Sequence, residues 1–167
     1  MIQERLKELR AQMQERGIDI YIVPTSDFHQ SEYVGEYFKA RKYMTGFTGS
    51  AGTAVITKEE AGLWTDGRYF IQAEKQLEGS TVKLFKMGEE GVPKVEEYVK
   101  DHLTEGSCIG FDGRVMDAKS GEKYAKMAEE KKAALYVKED LVGNIWKDRP
   151  QLPANKVWIL ELSLIHI

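Results

Sequence analysis

The chain has 167 residues, 42% of them hydrophobic and 31% charged, enough apolar material for the core of one soluble domain. A formal net charge of −3 gives no electrostatic basis for holding nucleic acid or an anionic membrane surface. The single cysteine, Cys108, excludes an internal disulfide and any Cys-x-x-Cys metal motif; within its apolar SCIGF run it is expected to pack as a small hydrophobe.

The N-terminal MIQERLKELRAQMQERG carries charges every few residues and no apolar leader core. No apolar run approaches the ~18 residues of a membrane span, so a cytoplasmic location is the expectation. Ile2, Leu6, Leu9 and Met13 fall at helical spacing, and Gly17 marks a stop. Ile18 to Val23 is β-branched and aromatic and closes on Pro24, the pattern of a buried strand. The segment from Pro24 to Phe47 has no clean period; one short helix is expected around Glu32 to Phe38.

A glycine-dense stretch follows, YMTGFTGSAGTAVITKEEAGLWTDGRY, with Gly46, Gly49 and Gly52 close together. Thr53 to Thr57 and Ala61 to Thr65 flank the polar turn Lys58-Glu59-Glu60 and read as a β-hairpin. Arg68 to Leu77 gives a helix with Asp66 as its expected N-cap. Thr81 to Lys86 is a strand, and Pro93 suits the first turn of a helix ending near Leu103. Cys108 to Phe111, Asp117 to Lys132 and Ala133 to Val137 then read as strand, helix and strand. Strands alternating with helices give an α/β fold, and the hairpin forces an antiparallel strand into a mixed sheet. No internal repeat is evident. From Asn144 the texture changes to two prolines, two tryptophans and little period, so residues 144–160 are expected to be a linker after a domain spanning 1–143. The abrupt apolar ELSLIHI at 161–167 reads as a non-native tail.

Several chemistries lack their parts. His29, His102 and His166 are far apart with no His-x-x-x-His, so no metal site is expected. Ser50 sits in a Gly-Ser-Ala-Gly run whose first glycine is out of place for a nucleophile elbow, and it precedes a strand instead of following one. The glycines do not open onto a helix N-terminus, which removes a phosphate cradle. Asp27, His29 and Glu32 form either an acid–base set or, with more weight, a surface loop with an Asx-turn. Arg68, projecting from a turn at Asp66, is either a solvated arginine or a fork for a ligand carboxylate. Lys39, Arg41 and Lys42 read as a solvated basic cluster.

Three ordered runs, SDFHQSEY (26–33), TGFTGSAGTA (45–54, preceded by Arg41) and LWTDGRYFIQA (63–73), together resemble the Xaa-Pro aminopeptidases (aminopeptidase P). The likeness is to the creatinase/prolidase-like N-terminal domain of the cytosolic three-domain type, and IWKDRP (145–150) resembles the passage towards the second domain. This resemblance implies a three-layer α/β/α sandwich with a ribonuclease H-like motif. It implies a metallopeptidase parent that removes the residue before proline, with two divalent metals, manganese in most members, held in a catalytic domain absent from this chain. The chain itself is then expected to be non-catalytic and to hold no cofactor. The implied partners are the missing second and catalytic domains, a homodimer mate and a peptide with proline at its second position. Arg68, and less directly His29 and Arg41, are implied to bind substrate, with Asp66, Gly46, Gly49 and Gly52 supporting them. A stand-alone peptide-binding module of the same fold is the alternative.

Overall fold

The computed structural model describes residues 1–158. Helix α1 (Ile2–Glu15) buries Leu6, Leu9 and Met13 on one stripe. Strand β1 (Ile20–Pro24) follows, then a single 3₁₀ turn (Glu36–Phe38) and helix α2 (Ala40–Thr45). The hairpin strands β2 (Thr53–Thr57) and β3 (Ala61–Thr65) lead through α3 (Phe70–Leu77) to β4 (Val82–Lys86). After α4 (Val95–His102) come β5 (Cys108–Phe111), α5 (Ala118–Glu130), β6 (Ala134–Tyr136) and α6 (Leu141–Ile145).

The six strands form one mixed sheet in the order β4-β3-β2-β1-β5-β6. Strand β2 runs antiparallel to both its neighbours, whereas β3–β4, β1–β5 and β5–β6 are parallel. Alternation along the strands divides the core into two layers. Tyr21, Val23, Ala54, Ile56 and Leu63 face α1, α2, α3 and α6. Ile20, Ile22, Val55, Trp64, Ile109 and Phe111 face α4 and α5. The result is an α/β/α sandwich. In the second layer Trp64 stacks on Phe85 at 4.0 Å and meets the edge of Tyr98 at 4.9 Å, and its indole N–H donates to the Pro93 carbonyl at 2.8 Å. Cys108 is buried in β5, and burial pushes its thiol pKa up.

The hairpin has the limits expected from its pattern. Three other elements differ. The helix expected around Glu32 to Phe38 contracts to one 3₁₀ turn, and α2 appears directly after it, anchored by the buried Met44. Helix α3 begins at Phe70 behind Tyr69, so Asp66 is not its N-cap; the four residues before it form a turn closed by the Tyr69 N–H donating to the Asp66 carbonyl at 3.0 Å. Helix α6 crosses position 144, where a linker was expected. Asp140 caps it by accepting from the Gly143 N–H at 2.8 Å, and Leu141, Val142 and Ile145 bury against the α1 layer. Trp146 then stacks on Tyr43 at 4.5 Å. The expected tail at 161–167 lies outside the described residues.

Candidate functional site

Because β1, β3, β4, β5 and β6 are mutually parallel, their carboxyl ends share one edge of the sheet. This is the edge at which open α/β sheets place their sites. It carries Thr25 to Ser31 after β1, Asp66 to Tyr69 after β3 and Asp112 to Arg114 after β5. The loop from Gly46 to Gly52, leading into the antiparallel β2, arrives at the same edge.

That loop is built around Arg41. The expected solvated cluster does not include it: Arg41 is only 4% exposed. Its Nε donates to Thr25 Oγ1 at 2.7 Å and its Nη1 to the Phe47 carbonyl at 2.8 Å, while Nη2 donates to the Gly49 carbonyl. All three acceptors are neutral, and burial pushes the guanidinium pKa down to about 10. Thr25 in turn donates to the Gly52 carbonyl at 2.6 Å, which ties the end of β1 to the start of β2. Gly46 ends α2 in the left-handed region, φ +78°, its N–H donating to the Lys42 carbonyl at 2.8 Å. A Cβ on Gly49 would sit 2.2 Å from the Phe47 ring, so only glycine lets the loop close over that side chain.

The 26–33 segment takes the blander of its two readings. Asp27 is buried and accepts from the backbone N–H groups of His29 (2.9 Å) and Ser31 (3.0 Å), an Asx-type turn. Those donors, Ser31 first, hold its carboxyl below the ordinary value. His29 is exposed, and among the described residues its imidazole makes no hydrogen bond. Asp27, His29 and Glu32 therefore do not form an acid–base set.

Arg68 stands out from this edge with its side chain 68% exposed. Its backbone N–H, Nε and Nη2 all donate to the Asp66 carboxylate, at 3.1, 2.8 and 2.9 Å. The Asp66 hydrogen bond holds the Arg68 pKa above its ordinary value, with the Tyr69 and Tyr33 phenols adding to the effect, and it depresses that of Asp66. One side of the guanidinium is thereby fixed, while the Nη1–Nη2 side faces solvent. Tyr69 shares a 2.6 Å hydrogen bond with Ser50, and Tyr33 nearby is 76% exposed. Ser50 is thus engaged by a phenol, and among the described residues no histidine or carboxylate is hydrogen-bonded to it.

A second turn repeats this arrangement atom for atom. Arg114 donates through its backbone N–H, Nε and Nη2 to Asp112, at 3.0, 3.0 and 2.9 Å. Both Asp-Gly-Arg turns follow the first strand of a parallel βαβ unit, one at each end of the sheet. The identical tripeptide was the sequence signal for this repeat.

Among the described residues, no group of three or more His, Cys, Asp and Glu side chains is placed to hold a metal ion. Nor is any helix long and apolar enough to cross a membrane.

Residues 5–139 match the Creatinase/Prolidase N-terminal domain family. The chain belongs to that family. It is 43% identical to Aminopeptidase P2 of Arabidopsis thaliana, with 98% of this chain and 24% of the relative covered. It is 48% identical to a probable Xaa-Pro aminopeptidase P of Pyrenophora teres f. teres, with 92% and 24% covered. Among solved structures, the X-prolyl aminopeptidase of Caenorhabditis elegans, described as a cytosolic enzyme with a di-nuclear active site, superposes with a TM-score of 0.85. The identity is 35%, over 92% of this chain and 26% of that one. The N-terminal domain of the cytoplasmic peptidase PepQ from Mycobacterium tuberculosis H37Rv is similar over 85% of this chain and 98% of its own, with a TM-score of 0.59 and 26% identity. The creatinase/prolidase-type domain described here spans about a quarter of the length of the aminopeptidases it matches.

Proposed function

We propose that this chain is the non-catalytic N-terminal domain of an Xaa-Pro aminopeptidase, and that its carboxyl sheet edge lines the peptide cleft of the full-length enzyme. The observation that carries the reading is Arg68: a guanidinium fixed on one side by Asp66, with its other fork edge free for a carbonyl or carboxylate of a bound peptide. Arginine suits this task because its planar donors hold their geometry when one edge is already bound. The two-metal chemistry, a bridging water activated for attack on the bond before proline, belongs in this reading to the remainder of the parent. The same reading gives the domain its other roles: supporting a homodimer, docking the second and catalytic domains, and acting in the cytoplasm.

In full-length enzyme, Arg68→Ala is expected to lower kcat/KM on an Xaa-Pro peptide by about 10- to 100-fold, roughly 1.4–2.7 kcal/mol, while leaving the unfolding midpoint in place. Unchanged kinetics would remove Arg68 from the cleft. The 167-residue chain supplied with manganese is expected to release no residue from the same peptide. Hydrolysis by it would overturn the non-catalytic reading.

A further inference from the structure

Buried charges in proteins are ordinarily paired with an opposite charge. Arg41 is not: its three hydrogen-bond partners are a hydroxyl and two carbonyls, its guanidinium lies 4.7 Å from the Phe47 ring centroid, and its other two N–H groups have no acceptor among the described residues. It also lines a cleft. A space of about 210 Å³ opens beside it, walled on one side by Val34 and Phe38, bounded by the glycine loop at Gly49, and rimmed by Lys39 and Lys42. Lys39 is ion-paired with Glu36, and the lining holds one carboxylate, Glu32, against Lys39, Arg41 and Lys42, so as a whole it remains net positive. Burial keeps water from screening the guanidinium, which strengthens its attraction for an anion entering from the rim.

We infer that this cleft binds a carboxylate, the C-terminal carboxylate of a residue with an apolar side chain, which pairs with Arg41 and Lys42 while the side chain lies on Val34 and Phe38. The volume is below the ~300–1,000 Å³ of drug-sized pockets and suits a ligand of about one residue. The site stands on Arg41 and its cleft alone and does not require that Arg68 touch a peptide.

The test is a titration of the 167-residue chain with N-acetylleucine, followed by the backbone amide resonances of Lys42, Thr48, Gly49 and Ser50. Millimolar, saturable shifts confined to this loop are expected, weakened several-fold at high salt. N-acetylleucinamide, which lacks the charge, is expected to produce none. N-acetylglutamic acid α-amide separates the two sources of carboxylate: weak shifts support a chain-end carboxylate, and shifts equal to those of N-acetylleucine overturn that choice while retaining the carboxylate site. Replacing Arg41 would collapse the loop it holds, so the informative variant is Lys42→Glu, on the exposed rim, which is expected to weaken binding at least tenfold with the spectrum otherwise unchanged. No shift at tens of millimolar, or equal shifts with the amide, overturns the site. Either result leaves the Arg68 kinetics in the full-length enzyme as a separate question.

Discussion

The two Asp-Gly-Arg turns have one geometry and differ in the carboxylates around them. At Arg68 the second fork edge meets solvent. At Arg114 the Nη2 that completes the pair with Asp112 also lies 3.6 Å from Asp140; each guanidinium has an aromatic ring beside it, Tyr69 at 5.2 Å from Arg68 and Phe28 at 5.4 Å from Arg114. Asp140 is itself only 12% exposed and is ion-paired with Arg149, whose Nε donates to the Tyr37 carbonyl at 2.8 Å and whose guanidinium lies 3.8 Å over the Tyr37 ring. One turn therefore has a second carboxylate within ion-pair distance, although its arginine side chain is still 54% exposed, and the other has none. An ion pair between exposed partners contributes little to stability, so the open copy has no structural need to be an arginine.

The contrast can be broken at its strongest point first. Asp140→Ala removes a buried carboxylate, strands Arg149 without its partner and uncaps α6. It is expected to cost about 3 kcal/mol or more in a urea unfolding experiment on this chain. Comparing Asp112→Ala with Asp66→Ala sharpens the contrast: the first removes a nearly buried partner and is expected to be clearly destabilising, and the second to stay within ~1 kcal/mol of the parent chain. Equal costs would mean that the two turns carry equal structural weight.

A smaller effect concerns acid. Asp27 and Asp66 both have carboxyl pKa values depressed in the folded chain, Asp27 by backbone N–H groups and Asp66 by Arg68. Their contribution is therefore present above the ordinary carboxylate pKa of ~3.9 and is lost as pH falls through the lower folded values. Asp27→Asn is expected to flatten the decline in stability below about pH 4, read from unfolding midpoints across pH. A slope identical to that of the parent chain would contradict the depressed carboxyl pKa of Asp27.

The hairpin and the β5 limits are legible because short apolar runs bounded by polar turns leave little choice of where a strand starts and stops. Helix α2 is not, since ARKYMT has no length over which a period can register; it forms because Met44 packs and Arg41 draws the following loop onto itself. Helix α6 was hidden by Gly143 and by the prolines beyond it, while its burial against α1 is a tertiary fact. The burial of Arg41 could not be read from a Lys-x-Arg-Lys run that looks like a solvated face. The turn chemistry of Asp66-Gly67-Arg68 marks Arg68 in the sequence, although the helix that follows starts two residues later, at Phe70. The second Asp-Gly-Arg is as plain in the sequence as the first, but a three-residue repeat carries no weight until both copies end equivalent strands.

The decisive comparison is kinetic: Arg68→Gln and Arg114→Gln made side by side in the full-length enzyme, with kcat/KM measured on one Xaa-Pro peptide. Glutamine keeps much of the side chain's volume and some hydrogen bonding but removes the charged fork. A loss of tenfold or more for Arg68→Gln, with Arg114→Gln within about threefold of the parent, is the expected result. Equal losses, or a loss confined to Arg114→Gln, would contradict the assignment of the open turn to the peptide.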